Sequence, residues 1–513
     1  MPRALMIQGT ASHVGKSLLA AAFGRWLRDR GLRVAPFKAQ NMSLNSYVTL
    51  QGEEIARSQA MQAEALGLEA TADMNPVLLK PLEHGCQVIV QGHAVGVMSI
   101  HDYYAFKETA WRAITASYDR LAADHDVIVL EGAGSPAEIN LREHDLVNMR
   151  MAAYADAAVV LVADIERGGV FAQIVGTWEL LQPAERDRII GFVINKFRGD
   201  ASLLRGGLET IQQRTGRPVL GVLPFDASVQ LDEEDSLGLP ARSASEGTAE
   251  LEIVVLRLPG ISNFTDFAAL TRLPGVAVQY VSRPDQLHRP DLVILPGTRT
   301  TLRALAWIRS TGLDDALVRM AENPEGPYIL GLCGGFQLLG RTIADPEGIE
   351  ERTAQADGLG LLDIDTRFEP CKLLHRVTAE VIAPGSLGQG CSVVGYEIHQ
   401  GRSRCRAGAA PWLRLWREPG GEVGQDGVAS HSGRVCGTYV HGLFDDARFC
   451  RTVVTILRQR KKLPPLAEQE WISQRKYWGQ RYARLGDWLA GACDLRPVAA
   501  ALALQVSSSS NQS

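Results

Sequence analysis

Two short segments of the chain carry residue types that can do chemistry. Near the start, an apolar run leads into Gly9-Thr10-Ala11-Ser12-His13-Val14-Gly15-Lys16-Ser17, and a helical pattern follows. Far downstream, Cys333 stands in Gly331-Leu332-Cys333-Gly334-Gly335, and His441 follows the apolar stretch Gly437-Thr438-Tyr439-Val440. The first segment has the composition of a phosphate-binding loop, and the second pairs a thiol nucleophile with a base. The sequence therefore predicts two sites of different chemistry.

The predicted phosphate loop is slightly extended. Five residues separate Gly9 from Gly15, one more than in the common loop. Successive backbone N–H groups and a helix N-terminus attract phosphate oxygens, so we expect Gly9, Thr10 and Gly15 to bind ATP. Lys16 supplies a positive charge, and the hydroxyl of Ser17 is a candidate Mg²⁺ ligand. A glycine turn with a surface lysine is the alternative, but the strand before the loop and the helix after it favour the nucleotide site.

Polar residues at predicted strand ends support a nucleotide site. We expect Lys38 to reach phosphate, Glu131 to hold Mg²⁺, and Asn195 to read the nucleotide base, because ligands bind at the carboxyl ends of parallel strands. Each residue taken alone is equally consistent with a solvated strand end. Asp145, in a polar loop that then turns helical, is a candidate contact of the reacting carboxylate, and a solvated loop is the alternative.

The glycines beside Cys333 permit the strained strand-to-helix turn that raises a nucleophile above a sheet. The N–H of Gly334 and a backbone N–H near Gly297 are candidate donors to a developing oxyanion. His441 is the expected base. A small buried cysteine without catalytic function is the alternative.

The elements that must position these residues follow an α/β pattern. Short apolar stretches alternate with helical stretches, which predicts two domains, each with a mostly parallel sheet flanked by helices. The predicted strands of the first domain are Ala4–Gln8, Val34–Lys38, Val127–Leu130, Ala157–Val162, Ile190–Ile194 and Val219–Leu223. Those of the second are Glu252–Leu256, Val276–Val281, Leu292–Leu295 and Tyr328–Leu330.

The predicted domain boundaries follow from changes in composition. We expect an ATP-binding domain over 1–235, a solvated linker over 236–250, and a second α/β domain over 251–450. Residues 451–505 have tryptophan, leucine and arginine at helical spacings and predict a helical C-terminal extension. The serine-rich stretch 506–513 is expected to be disordered.

Bulk composition excludes several classes of protein. In 513 residues, 46% are hydrophobic and 22% are charged, as in soluble globular proteins. A net charge of -5 gives no reason to expect a nucleic-acid partner. Eight dispersed cysteines favour a reducing compartment. We expect no signal peptide, no membrane segment and a cytoplasmic location. A homo-oligomer is compatible with the sequence.

The extended loop, together with Glu131-Gly132-Ala133-Gly134 and Asn195, resembles the dethiobiotin synthetase group of P-loop enzymes. This resemblance implies phosphorylation of a carboxylate by ATP. A P-loop motor or partitioning ATPase is the competing class. Those proteins usually carry a lysine early in the loop, where this chain has Thr10 and Ala11.

The second domain resembles class I glutamine amidotransferases, which implies that Cys333 attacks the glutamine amide and releases ammonia. Most members carry a glutamate two residues after the histidine, but this chain has Leu443 there. Asp445, Asp446, Glu397 or a backbone carbonyl are the alternatives for orienting the imidazole, and the sequence does not choose among them.

The order of the two domains, and the absence of that glutamate, resemble the cobyrinate-amidating family of cobalamin biosynthesis. The resemblance covers nearly the whole chain. It rests on long stretches outside the generic motifs: residues 38–46, 53–62, 73–81, 131–141 and 261–267.

The family resemblance implies a specific reaction. It is four ATP- and glutamine-dependent amidations of adenosylcobyrinic acid a,c-diamide, at the b, d, e and g side chains. The alternatives are the family member that makes the a,c-diamide, another P-loop/glutaminase amidoligase such as a cell-wall amidating relative, and a P-loop regulatory ATPase with an inactive amidotransferase-like module.

Overall fold

The structure is a computed structural model that describes residues 3–82, 85–231, 249–350, 355–418, 420–467, 471 and 474–504. Most of the predicted linker 236–250 and the whole of the predicted disordered tail 506–513 lie outside the described residues. The chain divides into two compact units. Unit 1 comprises Met1–Ser43, Ile55–Leu231 and Trp478–Ser513, and unit 2 comprises Leu44–Glu54 and Asp232–Tyr477.

Strands make up the sheets of both units. The strands of the first half are β1 (Arg3–Gly9), β2 (Val34–Phe37), β3 (Gln40–Met42), β4 (Ser46–Val48), β5 (Glu54–Ala56), β6 (Val77–Leu82), β7 (Gly85–Val90), β8 (His93–Met98), β9 (Val127–Glu131), β10 (Ala158–Asp164), β11 (Ile189–Phe197) and β12 (Val219–Pro224). The strands that follow are β13 (Leu251–Leu256), β14 (Val276–Val281), β15 (Leu292–Leu295), β16 (Tyr328–Leu332), β17 (Thr342–Ala344), β18 (Gln355–Asp357), β19 (Ile364–Val381), β20 (Ser392–Cys405), β21 (Ala410–Glu418), β22 (Glu422–Ala429), β23 (Val435–Thr438) and β24 (Val440–His441).

Helices connect and cover these strands. The α-helices are α1 (Lys16–Arg28), α2 (Arg57–Ala65), α3 (Ile100–Asp124), α4 (Met149–Tyr154), α5 (Val170–Leu180), α6 (Pro183–Arg186), α7 (Arg205–Thr215), α8 (Thr301–Thr311), α9 (Leu313–Glu322), α10 (Gly334–Leu339), α11 (Ala447–Arg460), α12 (Gln474–Ala492) and α13 (Arg496–Ala501). None of the helices in the described ranges is long and apolar enough to cross a membrane.

The main sheet of unit 1 is parallel, in the order β12-β11-β10-β1-β9-β2. Its central strand β1 is apolar and almost wholly buried, as expected for a strand covered on both faces. The six strands predicted for this domain are these six, with ends that differ by up to three residues. A smaller sheet, β3-β6-β7-β8, lies in the same unit.

The C-terminal extension contributes to unit 1 from Trp478 onward. The indole of Trp488 donates to the carbonyl of Pro224 at 3.3 Å, and the N–H of Asp494 donates to the carbonyl of Leu220 at 2.7 Å. The prediction of C-terminal helices is confirmed by α11, α12 and α13. The extension therefore completes the fold of unit 1 beside β12.

The sheet of unit 2 is parallel only in part. The order β14-β13-β15-β16-β23 is parallel, and β22, β21 and β19 continue it in antiparallel pairing. Alternate residues of β13 enter separate cores: Ile253 and Val255 on one face, Val254 and Leu256 on the other. The four strands predicted for this domain are β13–β16, and the antiparallel extension was not predicted.

Candidate active sites

The loop between β1 and α1 is built around a left-handed glycine. Gly15 has φ of 100°, and a Cβ atom there would lie 2.2 Å from Nδ2 of Asn195. Any other residue would be strained and would clash. Nδ2 of Asn195 donates to the carbonyl of Val14 at 2.9 Å, so this side chain holds the loop. Whether Asn195 also reads the base stays a prediction.

Lys16 lies across the loop that it belongs to. Its Nζ donates to the carbonyl of Ala11 at 2.9 Å and to that of Gly134 at 3.0 Å. The N–H of Thr10 is bound to the carbonyl of Val162 at 2.9 Å. The ammonium thus stands between the phosphate loop and the Glu131–Gly134 strand end, where a phosphate oxygen can replace a carbonyl as its partner.

Glu131 is the centre of the acidic end of the site. Its Oε1 accepts hydrogen bonds from Oγ of Ser17 at 2.8 Å and from Nζ of Lys38 at 2.9 Å. Its Oε2 accepts from Nε2 of Gln62 at 2.6 Å and from Nε2 of Gln59 at 3.4 Å. The structure thus brings together the two predicted metal ligands, Ser17 and Glu131, and pairs the carboxylate with Lys38.

Burial alone would raise the pKa of Glu131, but the Lys38 ammonium and the hydrogen bonds from Gln62 and Ser17 hold that pKa below its usual value. Glu131 therefore stays ionised. The side chains of Lys38 and Glu131 are 5% and 1% exposed, so this ion pair is buried. Breaking such a buried pair costs about 3–5 kcal/mol of stability.

Asp145 is engaged by backbone groups. Its Oδ1 accepts from the N–H groups of Val147 and Asn148, both at 2.9 Å, and its Oδ2 accepts from the N–H of Arg150 at 3.2 Å. The carboxylate therefore organises the turn that begins α4. Asn148 in turn bonds both backbone groups of Ala133, at 2.8 and 3.1 Å. The loop of Asp145 is thus fastened to the strand end that carries Glu131.

Cys333 occupies a strained turn between β16 and α10. Its φ of 50° and ψ of -108° lie in a region that non-glycine residues rarely adopt. The N–H of Cys333 donates to the carbonyl of Thr438 at 2.8 Å, which ties the turn to β23. The predicted nucleophile turn is present, with the thiol at the carboxyl end of a parallel strand.

His441 is held by an aspartate that sequence reasoning did not select. Oδ2 of Asp266 lies 2.7 Å from Nδ1 of His441, and Oδ1 accepts from the N–H of Gly442 at 3.2 Å. His441 and Asp266 are 1% and 4% exposed. The Cys333 side chain contributes to raising the pKa of His441, and the Sγ of Cys333 donates to the carbonyl of Ile398 at 3.6 Å. Cysteine, histidine and aspartate therefore form a chain of the kind found in nucleophilic enzymes.

The surroundings of His441 favour the charged form of its imidazole. Burial by itself lowers the pKa of His441, but the negative charge of Asp266 and its hydrogen bond, with a further contribution from Cys333, raise that pKa to about 10. The imidazole of His441 is therefore protonated at neutral pH.

The two predicted oxyanion donors, Gly297 and Gly334, lie beside the set of Cys333, His441 and Asp266. A Cβ atom added to Gly297 would lie 3.2 Å from Cε1 of His441. One added to Gly334 would lie 3.0 Å from the backbone nitrogen of Thr298. The turn that follows β15 thus contacts both His441 and the turn that follows β16.

The other carboxylates considered for the third position have other partners. Glu397 forms a two-point ion pair with Arg417 at 2.6 and 3.0 Å. Asp445 accepts from Nε2 of Gln474 at 2.8 Å. Asp446 accepts from the N–H of Arg448 at 2.8 Å and caps α11. Asp266 is the carboxylate that contacts His441.

Sequence reasoning also missed Gln59 and Gln62 as partners of Glu131, and Asn148 as the link to Ala133. A signal for Asp266 was present, because it lies in the stretch 261–267 that carries part of the family resemblance. That stretch follows β13, whose carboxyl end lies on the same edge of the sheet as that of β16.

Comparisons with known proteins cover nearly the whole chain. A family model described as a CobQ/CobB/MinD/ParA nucleotide binding domain matches residues 5–238, and one described as a CobB/CobQ-like glutamine amidotransferase domain matches residues 252–449. A cobyric acid synthase of Sorangium cellulosum is 47% identical to the chain over 507 residues, which are 96% of this chain and 96% of that protein. The chain belongs to the cobyric acid synthase family.

Other cobyric acid synthases match over similar lengths. The protein of Desulforudis audaxviator is 49% identical over 95% of this chain and 97% of its own length. The protein of Nitratidesulfovibrio vulgaris is 46% identical over 98% of this chain and 97% of its own length. The predicted cobyrinate-amidating family is confirmed, and with it the enzyme class, an ATP-dependent amidoligase that uses glutamine.

Proposed function

We propose that the two sites act in sequence to amidate carboxylates of a corrinoid. The acceptor is adenosylcobyrinic acid a,c-diamide, and the amidated positions are the b, d, e and g side chains. The observation that carries this proposal is the coexistence, in a member of the cobyric acid synthase family, of an ordered phosphate loop and a complete cysteine-histidine-aspartate chain. A regulatory ATPase with an inactive module has no use for an intact, strained nucleophile turn.

The glutaminase steps use residues of unit 2. The Cys333 thiolate attacks the amide carbon of glutamine, and the N–H groups near Gly334 and Gly297 stabilise the oxyanion. The His441 imidazolium gives its proton to the leaving nitrogen, and ammonia departs. Water, deprotonated by His441, then attacks the thioester, glutamate leaves, and the Cys333 thiolate and His441 imidazolium are restored. Asp266 holds the imidazole ring in the orientation that these transfers need.

The activation steps use residues of unit 1. A carboxylate oxygen of the acceptor attacks the γ-phosphorus of ATP, which gives an acyl phosphate and ADP. Ammonia then attacks the acyl carbon, and inorganic phosphate leaves. Lys16 and the N-terminus of α1 offset the phosphate charge in both steps.

The residues present fit a magnesium ion. Ser17 Oγ and Glu131 Oε1 lie 2.8 Å apart, and Glu131 remains ionised. A hydroxyl and one carboxylate are a sufficient protein contribution, because Mg²⁺ at nucleotide sites keeps waters and phosphate oxygens as further ligands. When bound there, Mg²⁺ would supply charge neutralisation on the nucleotide phosphates.

Mass spectrometry of the corrinoid products tests this proposal. The protein is incubated with ATP, Mg²⁺, glutamine and adenosylcobyrinic acid a,c-diamide. We expect a ladder of products that ends at four added amides. The proposal is wrong if the a,c-diamide is unchanged while a less amidated cobyrinate is converted.

A further inference from the structure

The segment Leu44–Glu54 belongs to unit 2, although the chain on both sides of it belongs to unit 1. It contains β4 and ends at Glu54, the first residue of β5. Within unit 2 this segment, called here the 44–54 segment, contacts residues that adjoin the His441–Asp266 pair. Its position in the sequence gives no reason to expect it near the glutaminase chemistry.

The peptide groups of Ser46 are bound on both sides. Its N–H donates to Oδ1 of Asn263 at 3.0 Å, and its carbonyl accepts from the hydroxyl of Tyr396 at 3.2 Å. Ser46, Asn263 and Tyr396 are 1%, 3% and 4% exposed. Buried hydrogen bonds of this kind fix the relative positions of the groups that they join.

Asn263 is a direct support of Asp266. It adopts a left-handed conformation, with φ of 50° and ψ of 37°, immediately before the helical turn Phe264–Phe267. Its carbonyl accepts from the N–H of Asp266 at 3.0 Å. The conformation of Asn263 therefore sets where the carboxylate of Asp266 points.

Tyr396 is a direct support of His441. Its ring stacks on the imidazole with centroids 5.3 Å apart and an angle of 18° between the planes. Tyr396 is also the partner of His441 in the antiparallel pairing of β20 with β24. Val48 of the 44–54 segment packs in one small core with Tyr396 and Ile398.

The 44–54 segment is fastened at its far end as well. Oγ of Ser46 donates to Oε1 of Glu54 at 2.7 Å, and Glu54 forms a buried ion pair with Lys372 of β19. The side chains of Lys372 and Glu54 are 9% and 0% exposed. The segment is therefore held to unit 2 by charge as well as by packing.

We propose that the 44–54 segment positions the glutaminase chain, with Asn263 and Tyr396 as its positioning residues. Through Ser46, one segment of the amino-terminal half fixes both members of the His441–Asp266 pair. This inference rests on the proposed glutaminase function. Small misplacements of catalytic groups lower rates by about 10²-fold, so weakening this support should lower kcat.

Two substitutions at Asn263 separate positioning from backbone conformation. Asn263→Gly keeps access to the left-handed conformation and removes the acceptor for Ser46. Asn263→Asp keeps the acceptor and tolerates the same conformation. For each variant we would measure the rate of glutamate release at saturating glutamine and the KM for glutamine. We would also measure the rate of amidation with glutamine and with free ammonia.

We expect Asn263→Gly to lower the ratio of glutamine-dependent to ammonia-dependent amidation by about 10-fold or more, because the misplaced Asp266 no longer orients His441. The KM for glutamine should stay within about twofold of the wild-type value. The Asn263→Asp variant should keep the wild-type ratio. The proposal is overturned if Asn263→Gly keeps the wild-type ratio. It is also overturned if glutamine- and ammonia-dependent rates fall together, which would indicate only a loss of folded protein.

Tyr396→Phe tests the second support, since it keeps the ring that stacks on His441 and removes the hydroxyl. It should lower the same ratio, and its effect should not add to that of Asn263→Gly, because both act through Ser46. Tyr118→Phe, at a buried tyrosine of α3, is the matched control and should leave the ratio unchanged. Strict additivity of the two variants would overturn the shared route. Loss of glutamine use in Cys333→Ala tests the glutaminase itself, independently of these results.

Discussion

The carboxylate that contacts Nδ1 of His441 at 2.7 Å belongs to Asp266, 175 residues earlier in the chain. The position where class I amidotransferases usually carry a glutamate is Leu443, which is fully buried. The orienting carboxylate thus comes from the loop after β13. Its role is recognised by geometry, because such chains are defined by contacts and not by sequence order.

Asp266→Asn should strongly lower the rate at which the protein hydrolyses glutamine. The amide keeps the shape of the side chain but loses the charge that stabilises the imidazolium, and the analogous change in a serine protease lowers kcat about 10⁴-fold. We expect glutamate release to fall by at least about 10²-fold, while free ammonia still supports amidation. Wild-type glutamate release would remove Asp266 from the mechanism.

The same pair predicts a pH dependence of stability. The pKa of His441 is raised from 6.5 to about 10 in the folded protein. Its stabilising contribution is therefore fully present below pH 6.5 and is lost as the pH rises through about 10. Urea denaturation should show a larger deficit for Asp266→Asn at about pH 6 than at about pH 10. A deficit that is constant over this range would contradict the assigned charge state.

Cys333→Ala should abolish amidation from glutamine and leave amidation from free ammonia, because the phosphate loop is a separate site. The measurement is corrinoid amidation with each nitrogen source in turn. A variant that uses glutamine at the wild-type rate would show that Cys333 is not the nucleophile.

Lys16→Ala should suppress amidation from both nitrogen sources, because Lys16 offsets phosphate charge in the activation step. The nucleotide products of the wild-type protein should be ADP and inorganic phosphate. Chromatography of the nucleotides checks this result. Appearance of AMP and pyrophosphate would overturn the acyl-phosphate route.

Asp145→Asn separates the two interpretations of the loop before α4. The amide oxygen can still accept from Val147 and Asn148, which now bind Oδ1, so we expect little loss of stability. If the carboxylate also contacts the acceptor or ammonia, partly amidated corrinoids should accumulate while ATP binding is little changed. A normal product distribution at the normal rate would leave Asp145 with a structural role alone.

The sequence predicted the ten core strands because buried parallel strands are continuous apolar runs that can be recognised locally. It also predicted Cys333, His441, Lys16, Ser17 and Glu131, whose motifs are short and carry their own geometry. The antiparallel strands β19 to β22 were not predicted, because they are long and partly exposed and therefore lack a continuous apolar run in the sequence.

The contacts that the sequence did not predict are tertiary. Asp266 and Glu397 are both acidic residues near polar loops, and only the folded chain shows that Glu397 is paired with Arg417 and that Asp266 faces His441. In the same way, the assignment of residues 44–54 to unit 2 depends on contacts with Asn263 and Tyr396, which are more than two hundred residues away.

The interleaved course of the chain has a consequence for its synthesis on the ribosome. Unit 2 includes Leu44–Glu54, and unit 1 includes Trp478 and the residues after it. The part of unit 1 that is made first therefore lacks Trp478 and the residues after it when it leaves the ribosome. The 44–54 segment likewise lacks the rest of unit 2, which is made much later. Domains made of one continuous stretch fold as they emerge. Unit 2 is complete only once Tyr477 has been made, and unit 1 only once the residues that follow Tyr477 have been made, so a nascent chain that stalls before Tyr477 leaves neither unit finished.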